Sequence, residues 1–251
     1  MSEQFSRTEL LLGSEAMNRL ADARVAVFGV GGVGGYVVEA LARSGVGALD
    51  LIDNDTVCLS NLNRQIIATR STLGMYKVDA AKTRIADINP DCVVNTYRTF
   101  FTPETSNEFD FTKYDYVVDA IDTVTGKIQL VMQAQEAGTP IICSMGAGNK
   151  LDPSGFMVAD IYKTSVCPLA KVMRHELKKR GVKKLKVVYS KEIARTPVTT
   201  TVEPCNNTTD TPVNNSSRRS TPGSNAFVPS AAGLLIASEV VADLTGVRAV
   251  Y

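Results

Sequence analysis

Several patterns that would assign this chain to a specialised class of protein are missing from its sequence. Its five cysteines, at positions 58, 92, 143, 167 and 205, form no C-x-x-C pair, which argues against a structural zinc site of the paired-cysteine kind. Their odd number favours free thiols in a reducing compartment. We therefore expect a cytoplasmic protein.

Long apolar segments are also missing. The longest, residues 226–238, is interrupted by Pro229 and followed by Glu239, and it is too short to cross a bilayer. The amino terminus carries no basic-then-apolar leader that ends in small residues. We expect no membrane partner, and we interpret residues 226–238 as part of a core helix.

An excess of one charge is missing as well, because 27 basic and 26 acidic residues leave a formal net charge of +1. Only a local cluster of charge can therefore indicate a partner. Residues 171–191 form such a cluster, of the kind that binds a polyanion; a solvated face of an amphipathic helix explains it equally well. The only histidine, His175, lies in this window and is expected at the surface. The basic residues are Lys171, Arg174, Lys178, Lys179, Arg180, Lys183, Lys184 and Lys186.

The rest of the chain is organised around residues 24–35, RVAVFGVGGVGG. A β-branched and aromatic run stops at glycines and continues as a helical pattern, which is the order of a dinucleotide- or ATP-binding unit. Gly29 permits a tight turn, Gly31 lets phosphate oxygens approach the backbone, and Gly34 allows close helix packing. The spacing alone is weak evidence, but phosphate is the expected occupant because helix N-termini attract anions.

Acidic and polar residues follow the second predicted strand. Asp53 stands about twenty residues beyond the last glycine, where a carboxylate accepts ribose hydroxyls; the alternative is a solvated strand end. The polar run over residues 53–65 lies where the loops of such folds bind ligands. Asn61, Arg64 and Lys77 supply the donors that a triphosphate needs.

Asp122 ends the buried run YDYVVDAID. A carboxylate at the carboxyl end of a central strand is placed to hold Mg²⁺ beside bound phosphates. An aspartate in that place also caps the helix that follows, and the spacing does not separate the two roles.

Alternating strands and helices predict an α/β fold with a doubly wound, mostly parallel sheet and a Rossmann-like ATP-binding half. We expect one domain over residues 1–251, with an amino-terminal arm over residues 1–23 that forms short helices behind Arg7. Residues 196–225 are rich in Thr, Asn, Ser and Pro, which predicts a flexible crossover loop. Arg218 and Arg219 are candidates for contacting an anionic substrate from this loop.

Four motifs stand in the order GVGGVG, LDLIDNDTVCLSNLNRQ, GMYK and DAID. Together they resemble the adenylating E1-like superfamily, which includes the ThiF and MoeB proteins and the ubiquitin-activating enzymes. Three further segments read SMGAGNKLDP, VADIYKTSVCPLAKVMRHELKKRGVKKLKVVYSKE and GSNAFVPSAAGLL. They are similar to the tRNA threonylcarbamoyladenosine dehydratase branch, the TcdA proteins.

The resemblance implies an ATP-dependent enzyme that works as a homodimer. It associates Asp122 with Mg²⁺ and implies that Arg7 reaches into the partner subunit's nucleotide site. A monovalent cation is a further candidate cofactor, and a sulfur-transfer protein is a further candidate partner. The ATP contacts implied are Gly29, Gly31, Gly32, Gly34, Asp53, Asp55, Asn61, Arg64, Lys77 and Asp122.

The activity implied is ATP-dependent adenylation of the threonylcarbamoyl carboxylate of N6-threonylcarbamoyladenosine (t6A) in tRNA, followed by cyclising dehydration to cyclic t6A. The basic residues of the window 171–184 are then candidates for contacting tRNA. The missing C-x-x-C pairs, which ThiF and MoeB carry, argue against the alternative, adenylation of the C-terminal glycine of a sulfur-carrier protein. Many relatives use a crossover-loop cysteine as a nucleophile, and some dehydratases carry one shortly before the closing helix, where residues 220–222 here are Ser-Thr-Pro. Cys205 lies further upstream in the loop, and the sequence leaves open a chemical role for Cys167 or Cys205. An NAD dehydrogenase is a weaker alternative, since it leaves the Asn61, Arg64 and Lys77 donors unexplained. The intact set of Arg64, Lys77 and Asp122 disfavours a non-catalytic nucleotide-binding scaffold.

Overall fold

Seven strands form one sheet in the computed structural model, which describes residues 3–198 and 222–250. Their order is given by position in the chain: β1 (Arg24–Phe28), β2 (Ala48–Ile52), β3 (Val93–Tyr97), β4 (Tyr116–Asp119), β5 (Ile141–Ser144), β6 (Phe156–Asp160) and β7 (Lys186–Ser190). In the sheet they lie in the order β3-β2-β1-β4-β5-β7-β6. Every neighbouring pair is parallel except β6 with β7. The predicted doubly wound, mostly parallel α/β sheet is confirmed.

Helices cover both faces of the sheet. Within the described residues they are α1 (Ser6–Leu12), α2 (Ser14–Asp22), α3 (Gly34–Arg43), α4 (Lys77–Ile88), α5 (Val124–Ala137), α6 (Pro168–Lys179) and α7 (Val228–Thr245). Side chains of β1 alternate between the two faces. Val25 and Val27 join the core cluster under α3 and α7, whereas Ala26 and Phe28 join an aromatic cluster that includes Leu130 of α5.

The strand order reverses between β1 and β4. Phe28, the last residue of β1, lies in register with Ile52 on one side and Asp119 on the other. In an open parallel sheet, the crevice outside the carboxyl ends of the strands at such a reversal is where ligands bind. The predicted phosphate-binding turn follows Phe28 directly, so the fold places it at this crevice.

Strand β7 lies in the window that we interpreted as one basic segment. α6 ends at Lys179, and Gly181 adopts a φ of +76°, the left-handed conformation typical of the end of a helix. The buried Val187 and Val188 then insert β7 between β5 and β6. The lysines around this short apolar run hide it in the sequence.

The amino-terminal arm is part of the folded domain. Its two predicted short helices are present, but α1 begins at Ser6, so Arg7 lies inside the first helix and not ahead of it. Met17 and Leu20 of α2 are buried in the main core cluster. The arm therefore contributes to the core beside the sheet.

α7 is the one helix among the described residues that is long and apolar enough to cross a membrane by length and composition. Its side chains Ala232, Ile236 and Val240 are buried in the main core cluster, and the helix contacts α2 and α3. The predicted core helix at the end of the chain is thus confirmed.

The predicted crossover loop is described only at its two ends. At its carboxyl end, Asn225 Nδ2 donates to the Lys150 carbonyl (3.0 Å), and Asn225 Oδ1 accepts from Val228 N (2.9 Å). These hydrogen bonds attach the start of α7 to the segment after β5. Cys205, Arg218 and Arg219 lie outside the described residues.

Candidate active site

Two glycines allow the turn after β1 to fold tightly. Gly29 has a φ of +90°, and a Cβ on it would lie 2.7 Å from the Ala120 carbonyl oxygen. A Cβ on Gly34, the first residue of α3, would lie 1.8 Å from the Gly29 carbonyl oxygen. Any side chain at either position would force the turn away from β4 or from α3, as expected for a turn that brings backbone close to phosphate.

The side chains of Arg64 and Gln65 lie against this turn. A Cβ on Gly32 would be 3.6 Å from Arg64 Cγ, and a Cβ on Gly31 would be 3.9 Å from Gln65 Nε2. Two hydrogen bonds of 2.9 Å from Arg64 Nη1 to acceptors of its own loop hold the guanidinium there. The structure thus brings a group suited to phosphate oxygens beside the glycines.

Gln65 is a functional candidate that the motifs alone do not single out. It is buried, and its Oε1 accepts no hydrogen bond from the described part of the chain. A buried acceptor of this kind is usually satisfied by some partner, and a nucleotide bound at the turn would offer one. The available sequence signal was its place at the end of the polar run.

Asp53 connects the end of β2 to the phosphate turn. Its Oδ2 accepts from Val30 N (2.8 Å), and its Oδ1 accepts from Asp55 N (2.9 Å). Burial raises the pKa of this carboxyl above its usual value, and the Lys77 ammonium partly offsets that shift. Because the side chain is only 9% exposed, the alternative of a solvated strand end is wrong.

Lys77 opens α4 and points its ammonium at two carboxylates. Its Nζ lies 2.5 Å from Asp55 Oδ2 and 3.9 Å from Asp53 Oδ1. Lys77 is buried, whereas the Asp55 side chain is 46% exposed. Asp55 therefore has room to turn into solvent when a phosphate oxygen replaces it, and the ammonium is already in place for that exchange.

Asn61 has a positioning role in the described structure. It is buried, and its Oδ1 accepts from Cys58 N (3.1 Å) in the short 3-10 turn Leu59–Asn61. This hydrogen bond shapes the loop that carries Arg64. The predicted contact of Asn61 with a triphosphate stays a prediction.

Asp122 lies exposed on the loop after β4 and lines a cavity whose wall also includes Val33 of the phosphate turn. The N-cap residue of α5 is Thr123, and the cap has no side-chain hydrogen bond, so a capping role for Asp122 is wrong. No cluster of three or more potential metal ligands occurs among the described residues. A single carboxylate nevertheless fits Mg²⁺, which is commonly held by one or two carboxylates together with substrate phosphates.

A buried ion pair that the sequence did not reveal lies behind this cavity. Lys127 Nζ donates to Asp119 Oδ1 (2.9 Å) and to the Ser144 carbonyl (2.7 Å), and the Lys127 and Asp119 side chains are at most 1% exposed. The same Asp119 oxygen accepts from Ile121 N (3.3 Å). One ammonium therefore joins the ends of β4 and β5 and the loop that leads to Asp122.

The predicted basic window divides into residues with internal partners and residues on the surface. Arg174 is half-buried and donates to the Thr164 carbonyl (3.0 Å), and Lys186 pairs with Glu239 and Asp243 of α7 at 3.1 and 2.6 Å. These two cations are therefore engaged inside the fold. The exposed members are Lys171, Lys178, Lys179, Arg180, Lys183 and Lys184.

Glu176 neutralises part of this surface. Its carboxylate pairs with Lys179 (3.2 Å) and Arg180 (2.8 Å). His175 is exposed, as predicted. The strongest uncompensated positive charge on the described surface of this region is therefore carried by Lys171, Lys178, Lys183 and Lys184.

The chain is similar in sequence and in fold to known proteins. The sequence profile of the ThiF family matches residues 5–250. The chain belongs to the ThiF family. The resemblance seen in the sequence motifs is thus confirmed.

Two relatives with the same name are similar to this ThiF-family protein. It is 46% identical over 245 residues to a tRNA threonylcarbamoyladenosine dehydratase of Bacillus subtilis (strain 168), covering 97% of this chain and 95% of the relative. It is 42% identical over 176 residues to the dehydratase of Escherichia coli (strain K12), covering 70% of this chain and 66% of the relative.

A solved structure of similar fold is the complex of E. coli tRNA N6-threonylcarbamoyladenosine dehydratase, TcdA, with ATP. The TM-score is 0.85 at 33% sequence identity, and the match covers 97% of this ThiF-family chain and 94% of that chain.

Proposed function

We propose that the protein is an ATP-dependent tRNA-modifying dehydratase that converts t6A in tRNA to cyclic t6A. The observation that carries this proposal is the 46% identity, over 97% of the chain, to a dehydratase of that name. The site agrees with it, because the described residues combine a phosphate turn with Arg64 and the buried Lys77 ammonium. Adenylation of a sulfur-carrier protein is disfavoured by the same comparison.

The chemistry requires a carboxylate to lose an oxygen. In the first step, the threonylcarbamoyl carboxylate oxygen attacks the α-phosphorus of ATP, and the bond to the departing pyrophosphate breaks. In the second step, the carbamoyl group of the same substrate attacks the activated carbonyl carbon, loses a proton, and AMP leaves with the former carboxylate oxygen. The net change in the nucleoside is the loss of one water.

The residues at the turn account for the first step. Lys77 and Arg64 offset the charge that builds up between the two phosphate groups, in a crevice where such positive groups are already positioned. Asp53 is fixed by Val30 N and Asp55 N, and its carboxylate is suited to hold ribose hydroxyls. The second step is intramolecular, so it needs little more than correct orientation.

Mg²⁺ is part of this proposal. Asp122, an exposed carboxylate in the wall of the cavity beside Val33, would hold the ion together with phosphate oxygens. When bound, Mg²⁺ supplies charge neutralisation on the phosphates. The monovalent cation and the sulfur-transfer partner stay predictions, and a cytoplasmic location is proposed from the proposed tRNA substrate.

Nucleoside mass spectrometry tests the activity. tRNA that carries t6A is incubated with the protein, Mg²⁺ and ATP, and a parallel sample receives a non-hydrolysable α,β-methylene analogue of ATP. We expect a product one water lighter than t6A in the sample with ATP and none in the sample with the analogue. Unchanged t6A with a protein that binds ATP would refute the proposal.

We also propose a homodimer in which Arg7 completes the nucleotide site of the partner subunit. Arg7 is exposed on α1, and the neighbouring Phe5 packs within 3.6 Å of the Cβ position of Gly45, just beyond the carboxyl end of α3. The phosphate turn lies at the other end of this ten-residue helix, about 15 Å away. Leu10 and Leu11 of α1 are 86% and 82% exposed, as expected of a surface that a second copy covers.

Mixed dimers test the position of Arg7. Arg7→Ala and Lys77→Ala homodimers are each expected to lose activity, whereas co-expressed, co-purified subunits are expected to recover about one quarter of wild-type activity, because half of the dimers contain one complete site. The measurement is cyclic t6A formation per subunit. Without any recovery in verified heterodimers, Arg7 would not act across the interface.

The exposed cations after α6 are proposed to contact the tRNA backbone. Lys183 and Lys184 lie on the connection between α6 and β7, and Lys178 lies in the last turn of α6. A group of lysines on one surface of a nearly neutral protein is a phosphate-binding feature with little sequence preference. Arg174 is omitted because it is engaged with Thr164.

The double variant Lys183→Ala/Lys184→Ala is expected to weaken tRNA binding about tenfold and to reduce the slope of log Kd against log salt by about 1.5. Its ATP affinity and its kcat at saturating tRNA should stay at the wild-type values. Lys82→Ala/Lys113→Ala, which removes two exposed lysines elsewhere, is the matched control. Equal weakening in both double variants would contradict a localised tRNA surface.

A further inference from the structure

A cavity of about 370 Å³ adjoins the phosphate turn. Its wall is built from Val33 of the turn, residues 120–122 after β4, residues 144–148 after β5, residues 167–169 at the start of α6, and Pro222. The cavity therefore extends from the place where the phosphates would lie to the amino end of α6. Its size is at the lower end of the range for small-molecule sites.

The chemistry of the substrate fixes which group must enter this cavity. In the proposed function, on which this assignment rests, the threonine carboxylate reacts at the α-phosphorus. The threonine side chain is attached to the carbon next to that carboxylate, so it must lie within a few bonds of the reacting atoms. The cavity beside Val33 lies next to the turn where the reacting phosphates are expected.

The wall is suited to an uncharged, partly apolar group. Val33, Ala120, Met145 and Leu169 contribute to it, and Asp122 supplies its carboxylate. Burying a second charge against such a wall without a partner is costly, whereas a methyl group is favourable there. The wall thus fits a threonine side chain better than another phosphate.

Gly146 is the position that leaves room in this wall. A Cβ on Gly146 would have Cys167 Sγ, at 3.8 Å, as its only neighbour within 4 Å among the described residues, whereas a Cβ on Gly148 would lie 2.8 Å from Pro222 Cβ. Gly146 also has no left-handed φ. A side chain at Gly146 can therefore grow into the cavity without backbone strain, and one at Gly148 cannot.

We propose that this cavity receives the threonine side chain of the substrate and that Gly146 sets the room available to it. The position of α6 is consistent with this assignment. Its amino end lines the cavity, and Lys178, ten residues beyond Pro168 in this helix, lies about 15 Å further along its axis. A modified base held out of its stack at the cavity then leaves the tRNA backbone near the exposed lysines.

The test compares two substrates with wild-type protein, Gly146→Ala and Gly146→Val. One is t6A-containing tRNA, and the other is the same tRNA with glycine in place of threonine in the carbamoyl group, so that only the side chain is missing. Cyclisation is followed by mass spectrometry to give kcat/KM, and ATP affinity is measured by calorimetry. Ala21→Val, on the exposed surface of α2 at the opposite end of the strands, is the matched control.

Wild-type protein is expected to prefer the threonine substrate by about tenfold or more, the usual effect of a small apolar group in a fitted pocket. Gly146→Val should reduce kcat/KM for the threonine substrate at least tenfold, reduce it much less for the glycine substrate, and leave ATP affinity unchanged; Gly146→Ala should lie between. No preference in wild-type protein, or equal losses on both substrates in Gly146→Val, would overturn the assignment. Failure of wild-type protein to convert either substrate would instead count against the proposed function.

Discussion

Lys77→Ala is expected to reduce ATP-dependent formation of cyclic t6A by about a hundredfold or more, the usual cost of removing one positioned donor from developing charge. The Lys77 ammonium is buried and lies 2.5 Å from Asp55 and 3.9 Å from Asp53. Without it, two carboxylates would face the triphosphate with no cation between them. The variant should therefore lose both a phosphate donor and the neutralisation of an acidic pair.

Single-turnover assays with saturating ATP would measure this loss. Lys82→Ala, which removes an exposed lysine from the same helix, should keep wild-type activity. Lys77→Arg retains the charge with a larger, planar head group and should fall between wild type and Lys77→Ala. Wild-type turnover by a folded Lys77→Ala protein would show that Lys77 is not needed for the reaction.

The second large effect is expected on stability. Lys127→Met should lower the free energy of unfolding by about 3–5 kcal/mol, the range for breaking a buried ion pair by removing one partner. The Asp119 carboxylate, 0% exposed, would lose its 2.9 Å hydrogen bond from Lys127 and be left in the core without a cationic partner. The Ser144 carbonyl would lose a donor at the same time.

Urea unfolding at neutral pH measures this change. Lys113→Met breaks an exposed pair with Asp110 at 3.6 Å and should cost at most about 1 kcal/mol. The double variant Lys127→Met/Asp119→Leu removes both charges and should recover part of the lost stability. A Lys127→Met protein as stable as the Lys113→Met protein would show that the buried pair contributes little.

The phosphate turn could be predicted because its determinants are local. Gly29 needs a positive φ and Gly34 needs the absence of a Cβ, and both requirements arise within one turn of the chain. Asp53 was predictable from its distance to that turn, since β1 and β2 are joined by a single helix. The strand-turn-helix order thus predicted both the fold class and the position of the glycine turn beside Asp53.

The features that escaped prediction depend on contacts between distant segments. Lys127 looks like an ordinary lysine near the start of a helix until β5 brings the Ser144 carbonyl to it. The sequence places Arg174 among the surface cations, but in the fold it donates a hydrogen bond to the Thr164 carbonyl. β7 has a short apolar run among lysines, and it becomes a strand because β5 and β6 offer it two neighbours.

Part of the candidate site could be identified only from the three-dimensional structure. Gln65 stood in the sequence at the end of a polar run, but its burial and its position beside Gly31 follow from the path of the loop. Asp122 had two possible roles, and the position of Thr123 as the N-cap residue of α5 removed one of them. The cavity beside Val33 is assembled from five separate segments, so no single sequence motif predicts it.

In the proposed reaction, transfer of AMP activates the threonylcarbamoyl carboxylate, and the fate of ¹⁸O in that carboxylate tests this step most directly. tRNA is prepared with ¹⁸O in both carboxylate oxygens of its t6A and is incubated with the protein, Mg²⁺ and unlabelled ATP, after which AMP, phosphate and nucleosides are analysed by mass spectrometry. If the carboxylate is adenylated, one ¹⁸O appears in AMP and one remains in cyclic t6A. Label in inorganic phosphate or water, with unlabelled AMP, would contradict adenylation and place the activation elsewhere.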